Sequence, residues 1–158
     1  MLNLTTHDHV IREIQLARPP VNALNLELLQ ALRKAIDDSV REGVRGIVLS
    51  GAAGLFSAGV DVPALLQRDR QGVLEYWREF FALCGSLARA PVPLVAAITG
   101  HSPAGGAVLA LFCDYRVMAS GPFRIGLNEV QVGLIVPESI QLALRDYEAY
   151  HAVAPAWQ

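Results

Sequence analysis

Two short apolar runs constrain the fold more than any other feature of this chain. They are "RGIVLSG" at 45–51 and "VPLVAAITG" at 92–100. Neither alternates apolar with polar residues, so neither reads as a strand with one wet face. Each stops at a glycine. Continuous apolar strands of this length belong in sheets covered on both sides, and those sheets are largely parallel. The segments between and around them have helical spacing. "LELLQALRKAIDDSVREG" places Leu28, Leu32, Ala35/Ile36 and Val40 on one stripe and ends at Gly43. "VLEYWREFFALCGSLARA" places Trp77, Phe80/Phe81, Cys84 and Leu87 on another.

The remaining pieces complete an alternation. "HVIREIQLA" alternates partly, through Ile14 and Leu16, and reads as an edge-type strand. "PALLQR" starts a short helix, "GGAVLALFC" is a short apolar helix, and "YRVMAS" and "FRIGL" are strands. "PESIQLALRDYEAY" opens a last helix with Pro137 in its first turn. Strand–helix repetition of this kind implies an α/β fold with right-handed crossovers, a largely parallel sheet and helices outside it.

At 158 residues the chain can bury one real core, and a hydrophobic content of 53% implies several buried strands, a subunit interface, or both. A formal charge of −2 with no basic run excludes a nucleic-acid-binding face; Lys34 is the only lysine and the arginines are scattered. Cys84 and Cys113 match no metal spacing and sit in apolar segments, as expected of buried free thiols in a reducing compartment. The N-terminal "MLNLTTHDHVIREI" has no apolar core of signal-peptide length, and "AGGAVLALFC" is too short to cross a bilayer. The expectation is a soluble, cytoplasmic protein with no membrane partner.

Two glycine turns, each leading from a strand into a helix, carry the chemistry. In "SGAAGLFSAGVDVPALL", Asp61 can cap the helix that begins at Pro63, leaving the amides of Gly59 and Val60 at its N-terminus. "ITGHSPAGGAVLAL" repeats the arrangement with Gly105 and Gly106 opening the helix. Two such turns can aim two backbone N–H donors at one oxygen that gains negative charge, each worth on the order of 3 kcal/mol in a transition state. The same glycines would equally serve close helix–strand packing alone. "GHSPA" also approaches the serine-hydrolase elbow G-x-S-x-G. Its fifth position is Ala104, however, and the residue after Ser102 is Pro103, which has no N–H to offer an oxyanion. Ser102 is expected to cap a helix instead.

Beyond these turns, "RIGLNEVQVGLIVP" carries one carboxylate, Glu129, next to Val130, Val132, Leu134, Ile135 and Val136, which all seek burial. Other polar candidates carry less. The "HDH" at 7–9 is expected to be a solvated pair of histidines near a loose terminus. His101 can line a pocket without moving a proton, Asp114 caps or turns the chain, and Arg116 pairs with a carboxylate.

Taken together these segments resemble the crotonase (enoyl-CoA hydratase/isomerase) superfamily. "FSAGVDV" is similar to its first oxyanion segment, "PLVAAITGHSPAGGAVLALFCDYRVMAS" to its second, and "RPPVNALN" to its early CoA-contacting loop; the likeness spans about residues 10–144. Within the family, "SPAGG", "CDYR" and "IGLNE" at 102–106, 113–116 and 125–129 resemble the Δ3,Δ2-enoyl-CoA isomerases of the mitochondrial type. The resemblance implies the crotonase ββα superhelix, with 1–140 as the core domain and 141–158 the start of a helical region that is truncated or divergent. It implies Glu129 as the catalytic base and Val60 and Gly105 as oxyanion donors. Asn22, Ala23, Leu24, Ala58, Gly59, Asp61 and Val62 would contact substrate or CoA, and Asn128 would contact substrate.

Hydratases of the family carry a second glutamate where this chain has Val108, which implies a one-base enzyme. A single carboxylate can take a proton from C2 of a 3-enoyl thioester and return it at C4. Apolar surroundings that raise its pKa toward about 6 would fit it for both tasks. No metal or cofactor is implied; coenzyme A is part of the acyl-CoA substrate. The resemblance also implies a homo-oligomer, a trimer or dimer of trimers. Another crotonase-type activity such as hydration, or a silent acyl-CoA-binding protein, are the alternatives.

Overall fold

The computed structural model describes residues 1–127, 136–138, 140–143 and 145. Eight strands and four helices are defined within them, and they form two sheets. The larger sheet holds β1 (Leu2–His7), β2 (Ile11–Leu16), β3 (Gly46–Ser50), β5 (Leu94–Ile98) and β7 (Tyr115–Met118), in that spatial order. β1 and β2 form an antiparallel hairpin; every other pairing in the sheet is parallel. The smaller sheet is parallel throughout, in the order β4 (Gly54–Leu55), β6 (Gly100–Pro103), β8 (Ile125–Gly126).

The helices are α1 (Leu26–Arg41), α2 (Val62–Leu66), α3 (Arg70–Ala88) and α4 (Gly105–Leu111). α1 starts where Asn25 accepts a hydrogen bond from the Leu28 amide at 3.0 Å. It ends at Gly43, whose φ of +78° suits a residue with no Cβ. α1 and α3 pack together. The core lies between them and the large sheet, filled by Ile14, Leu16, Ile47, Leu49, Leu94 and Ile98 from the strands and by Leu28, Leu29, Leu32, Ile36, Phe80 and Leu83 from the helices. Burying one such side chain contributes roughly 2 kcal/mol. None of the described helices is long and apolar enough to cross a membrane.

The structure corrects three expectations. The terminus is not loose: Leu2–His7 is a paired strand, and residues 8 and 9 form its turn, with φ of 49° and 60°. On α3 the buried aromatic residues are Tyr76 and Phe80, whereas Trp77 is only partly covered and Phe81 is exposed. Ser102 lies within β6 and caps nothing; the cap residue of α4 is Ala104. Besides these corrections, Arg116 is seen to donate to the carbonyls that end α4, reaching Ala110 at 3.0 Å and Cys113 at 2.6 Å. Asp114 does tie the chain, accepting from the Leu94 amide at 2.8 Å.

The small sheet brings the two glycine turns together. Gly54 is paired with Gly100, and a Cβ on Gly100 would lie 1.9 Å from the Gly54 carbonyl carbon. Only glycine permits that approach.

Candidate active site

The first turn is built around Ser57, which is fully buried. Its hydroxyl donates to the Asn22 carbonyl at 2.8 Å and accepts from the Gly59 amide at 3.1 Å. Gly59 has φ +83°. Two residues on, Asp61 caps α2 by accepting from the Ala64 amide at 3.1 Å, as the sequence predicts.

The loop of residues 18–24 is fastened to this turn. Leu24 and Val60 form a parallel bridge: the Leu24 amide donates to the Gly59 carbonyl at 2.8 Å, and the Asp61 amide donates to the Leu24 carbonyl at 3.1 Å. The Ala58 amide donates to the Val21 carbonyl at 3.0 Å. Arg18 forms an ion pair with Asp61 at 2.8 Å and donates to the Ala23 carbonyl at 3.0 Å. Asn22 is buried, with φ 50°. Its side chain accepts from the Arg18 amide at 2.8 Å and donates to the Leu16 and Phe56 carbonyls, each at 3.1 Å. The amide group of Asn22 is thus engaged inside the protein, and its side chain acts as a clamp on the loop. Val62 is about half exposed beside it.

The second turn carries the strain. Ala104 adopts φ 47° and ψ −123°, a region that costs a non-glycine residue on the order of 1–3 kcal/mol. Its amide donates to the Gly126 carbonyl at 2.8 Å, which ties the turn to β8. The peptide that follows presents the Gly105 N–H at the start of α4. No sequence signal marks Ala104 as the strained residue, since glycines flank it on the C-terminal side.

These turns converge. A Cβ on Gly59 would come within 3.0 Å of the Gly105 nitrogen, and a Cβ on Gly105 within 3.3 Å of the Val60 nitrogen. The Leu24 bridge engages the Gly59 carbonyl and the Asp61 amide, so it leaves the Val60 amide over. Among the described residues, neither the Val60 nor the Gly105 nitrogen donates to a protein acceptor. A pair of unclaimed amides this close can receive one oxygen atom bearing partial negative charge.

Tyr76 was not anticipated in this neighbourhood. It is 1% exposed, and its hydroxyl donates to the Leu24 carbonyl at 2.9 Å. Burial, helped by the nearby Asp61 carboxylate and then by Cys84, pushes this hydroxyl above its ordinary pKa, so it stays a protonated donor. Its aromatic neighbours on α3 hide the signal in the sequence. Val108 is buried in α4. His101 is exposed, and its Nδ1 lies 3.2 Å from the Arg124 amide. Asn128 and Glu129 lie outside the described residues, as does most of the segment 141–158.

This architecture is that of the crotonase fold, and sequence comparison agrees. The model of the Enoyl-CoA hydratase/isomerase family matches residues 6–146, and the chain belongs to that family. The mouse protein "Enoyl-CoA delta isomerase 1, mitochondrial" is 42% identical over 127 residues, which cover 78% of this chain and 44% of the relative. Its human counterpart is 38% identical over 143 residues, covering 89% of this chain and 47% of the relative. The chain thus spans about half the length of the curated relatives it matches. Among solved structures, that of human mitochondrial delta3-delta2-enoyl-CoA isomerase superposes with a TM-score of 0.87 at 34% identity, over 90% of this chain and 57% of the other.

Proposed function

We propose that this chain carries the thioester-binding half of an enoyl-CoA isomerase that moves a 3-enoyl-CoA double bond to the 2-trans position. The observation that carries the proposal is the approach of the Val60 and Gly105 nitrogens, neither engaged by a described acceptor. The thioester oxygen would accept from both. Withdrawing charge onto that oxygen acidifies the C2 proton. Glu129 takes this proton, leaving a dienolate whose negative charge rests largely on the held oxygen. The same carboxylic acid returns the proton at C4, and the double bond comes to lie between C2 and C3. Atoms and charge balance without any redox partner or added water.

Support for isomerisation over hydration comes from Val108, a buried apolar side chain where the hydratases of the family carry their second glutamate. With one carboxylate there is no partner to activate water. The β8 strand supports Glu129 as the base, because Gly126 pairs with Pro103 beside the second turn. The loop residues Asn22, Ala23 and Leu24 and the turn residues Ala58, Gly59, Asp61 and Val62 would then border the CoA moiety, and Asn128 the acyl group. A part in fatty acid oxidation, a cytoplasmic location and assembly as a trimer or dimer of trimers belong to the same reading.

Assaying the purified protein on 3-enoyl-CoA and on 2-enoyl-CoA tests it. Isomerisation that falls by at least about a thousandfold in Glu129→Gln is the expected result, since the amide can neither take nor return a proton. Hydration of 2-enoyl-CoA without isomerisation, or binding without turnover, would overturn it.

A further inference from the structure

We infer that Tyr76 is a positioning residue for the oxyanion donor at Val60, an inference that rests on the isomerase reading above. The Leu24 carbonyl is the hub. It accepts from the Asp61 amide at 3.1 Å and from the Tyr76 hydroxyl at 2.9 Å, while the Leu24 amide holds the Gly59 carbonyl at 2.8 Å. Val60 lies between the two bonded residues, Gly59 and Asp61. The direction of its free N–H is therefore set by the plane of this bridge. The bridge is a single pair rather than part of a long ladder, so it lacks neighbours to keep it in register. α2, which follows it, is only five residues long and has no buried residue of its own.

Tyr76 supplies what the short elements lack. It projects from α3, a nineteen-residue helix, and its ring is packed against Trp77 and Phe80 with centroids 5.3 and 6.4 Å away. A rigid, buried donor on a long helix thus fixes the carbonyl that orients the bridge. Substrate does not need to touch the phenol for it to matter: a tilt of the Leu24 peptide turns the Asp61 and Val60 peptides with it. Removing an oxyanion donor outright costs about 10²–10³ in kcat. Misaiming one should cost less.

Tyr76→Phe keeps the ring and deletes only the hydroxyl, and the Leu24 carbonyl retains its bond from Asp61. Expected in this variant are a kcat for 3-enoyl-CoA lower by about tenfold, a KM within about twofold of wild type, and faster hydrogen exchange at the Asp61 amide. Leu87→Ala, a buried core change on the same helix about three turns from Tyr76, controls for general loosening and should leave kcat within about twofold. A Tyr76→Phe enzyme with wild-type kcat, or an equal fall in Leu87→Ala, would overturn the positioning role. A wild-type protein inert toward 3-enoyl-CoA would sink the isomerase reading instead. The exchange measurement then decides alone: unchanged exchange at Asp61 overturns the role of Tyr76, and faster exchange supports it.

Discussion

Gly59 and Gly105 approach so closely that a side chain on Gly59 would crowd the second turn: a Cβ there would lie 3.0 Å from the Gly105 nitrogen, from the Ala104 Cβ and from the Pro103 carbonyl oxygen. The two glycines come from turns that follow different strands, so their proximity is a property of the fold. Gly59 also has φ +83°, where an L side chain is strained. Gly59→Ala should therefore lose about 3 kcal/mol of stability, from backbone strain plus overpacking. It should also lose most activity, because the clash falls on the Gly105 amide. Urea denaturation and steady-state kinetics would measure both, and an alanine variant with wild-type stability would refute the approach described.

Arg18 and Asp61 form the ionic link between the early loop and the first turn. Their side chains are 26% and 12% exposed, so the pair is only partly screened. Asp61→Asn preserves a capping oxygen for Ala64 while removing the charge. A double-mutant cycle of Arg18→Met and Asp61→Asn should give a coupling of about 1 kcal/mol in denaturation experiments. Strict additivity would mean the pair contributes nothing.

The parts of this architecture legible in the sequence are those with an apolar signature. β3 and β5 are recognisable because both faces are covered, and α1 because its stripe runs unbroken from Leu28 to Ile36. β1 was hidden for the opposite reason: five of its six residues are exposed, so an outer strand of Leu2–His7 looks like a polar tail. On α3, neighbouring aromatic residues blur the stripe, and the choice between Tyr76 and Trp77 turns on one position, a rotation of about 100°. The small sheet has strands of two to four residues, defined by partners tens of residues away and by no local pattern. At the site, glycine spacing and the family resemblance marked the Val60 and Gly105 turns. The same reading placed Asn22 in the loop beside the ligand; that its side chain also clamps this loop was not legible, because only the folded chain brings the Leu16 and Phe56 carbonyls around it.

The β1–β2 hairpin carries a pH-sensitive group. Glu13 accepts from the Ser50 hydroxyl at 2.7 Å, and its other oxygen lies 2.9 Å from His7 Nε2. The Ser50 hydrogen bond, followed by the His7 contact, holds the Glu13 carboxyl below its ordinary value. A depressed carboxylate stabilises the folded state above the unfolded pKa and loses that contribution as pH falls through the folded pKa. Relative to Glu13→Gln, the wild type should thus hold a melting-temperature advantage above about pH 4.5 that shrinks in more acidic buffer. A gap independent of pH across that window would show that the charge has no part in it.

Cys84 and Cys113 are 3% and 4% exposed, and burial pushes both thiols up to about 12. The Cys113 thiol also donates to the Leu109 carbonyl at 3.3 Å. Because the thiolate is the reactive form, both should be inert toward a thiol-reactive reagent in the folded protein at pH 8. Two equivalents should react once denaturant is added, since no disulfide joins them. Exposure and ionisation here change together, so the labelling rate reports local opening. In Gly59→Ala, where the clash reaches the first residue of α4 but not α3, Cys84 should label faster only to the extent that the whole domain unfolds. Rapid labelling of either cysteine in the native wild type would contradict the burial of these two thiols.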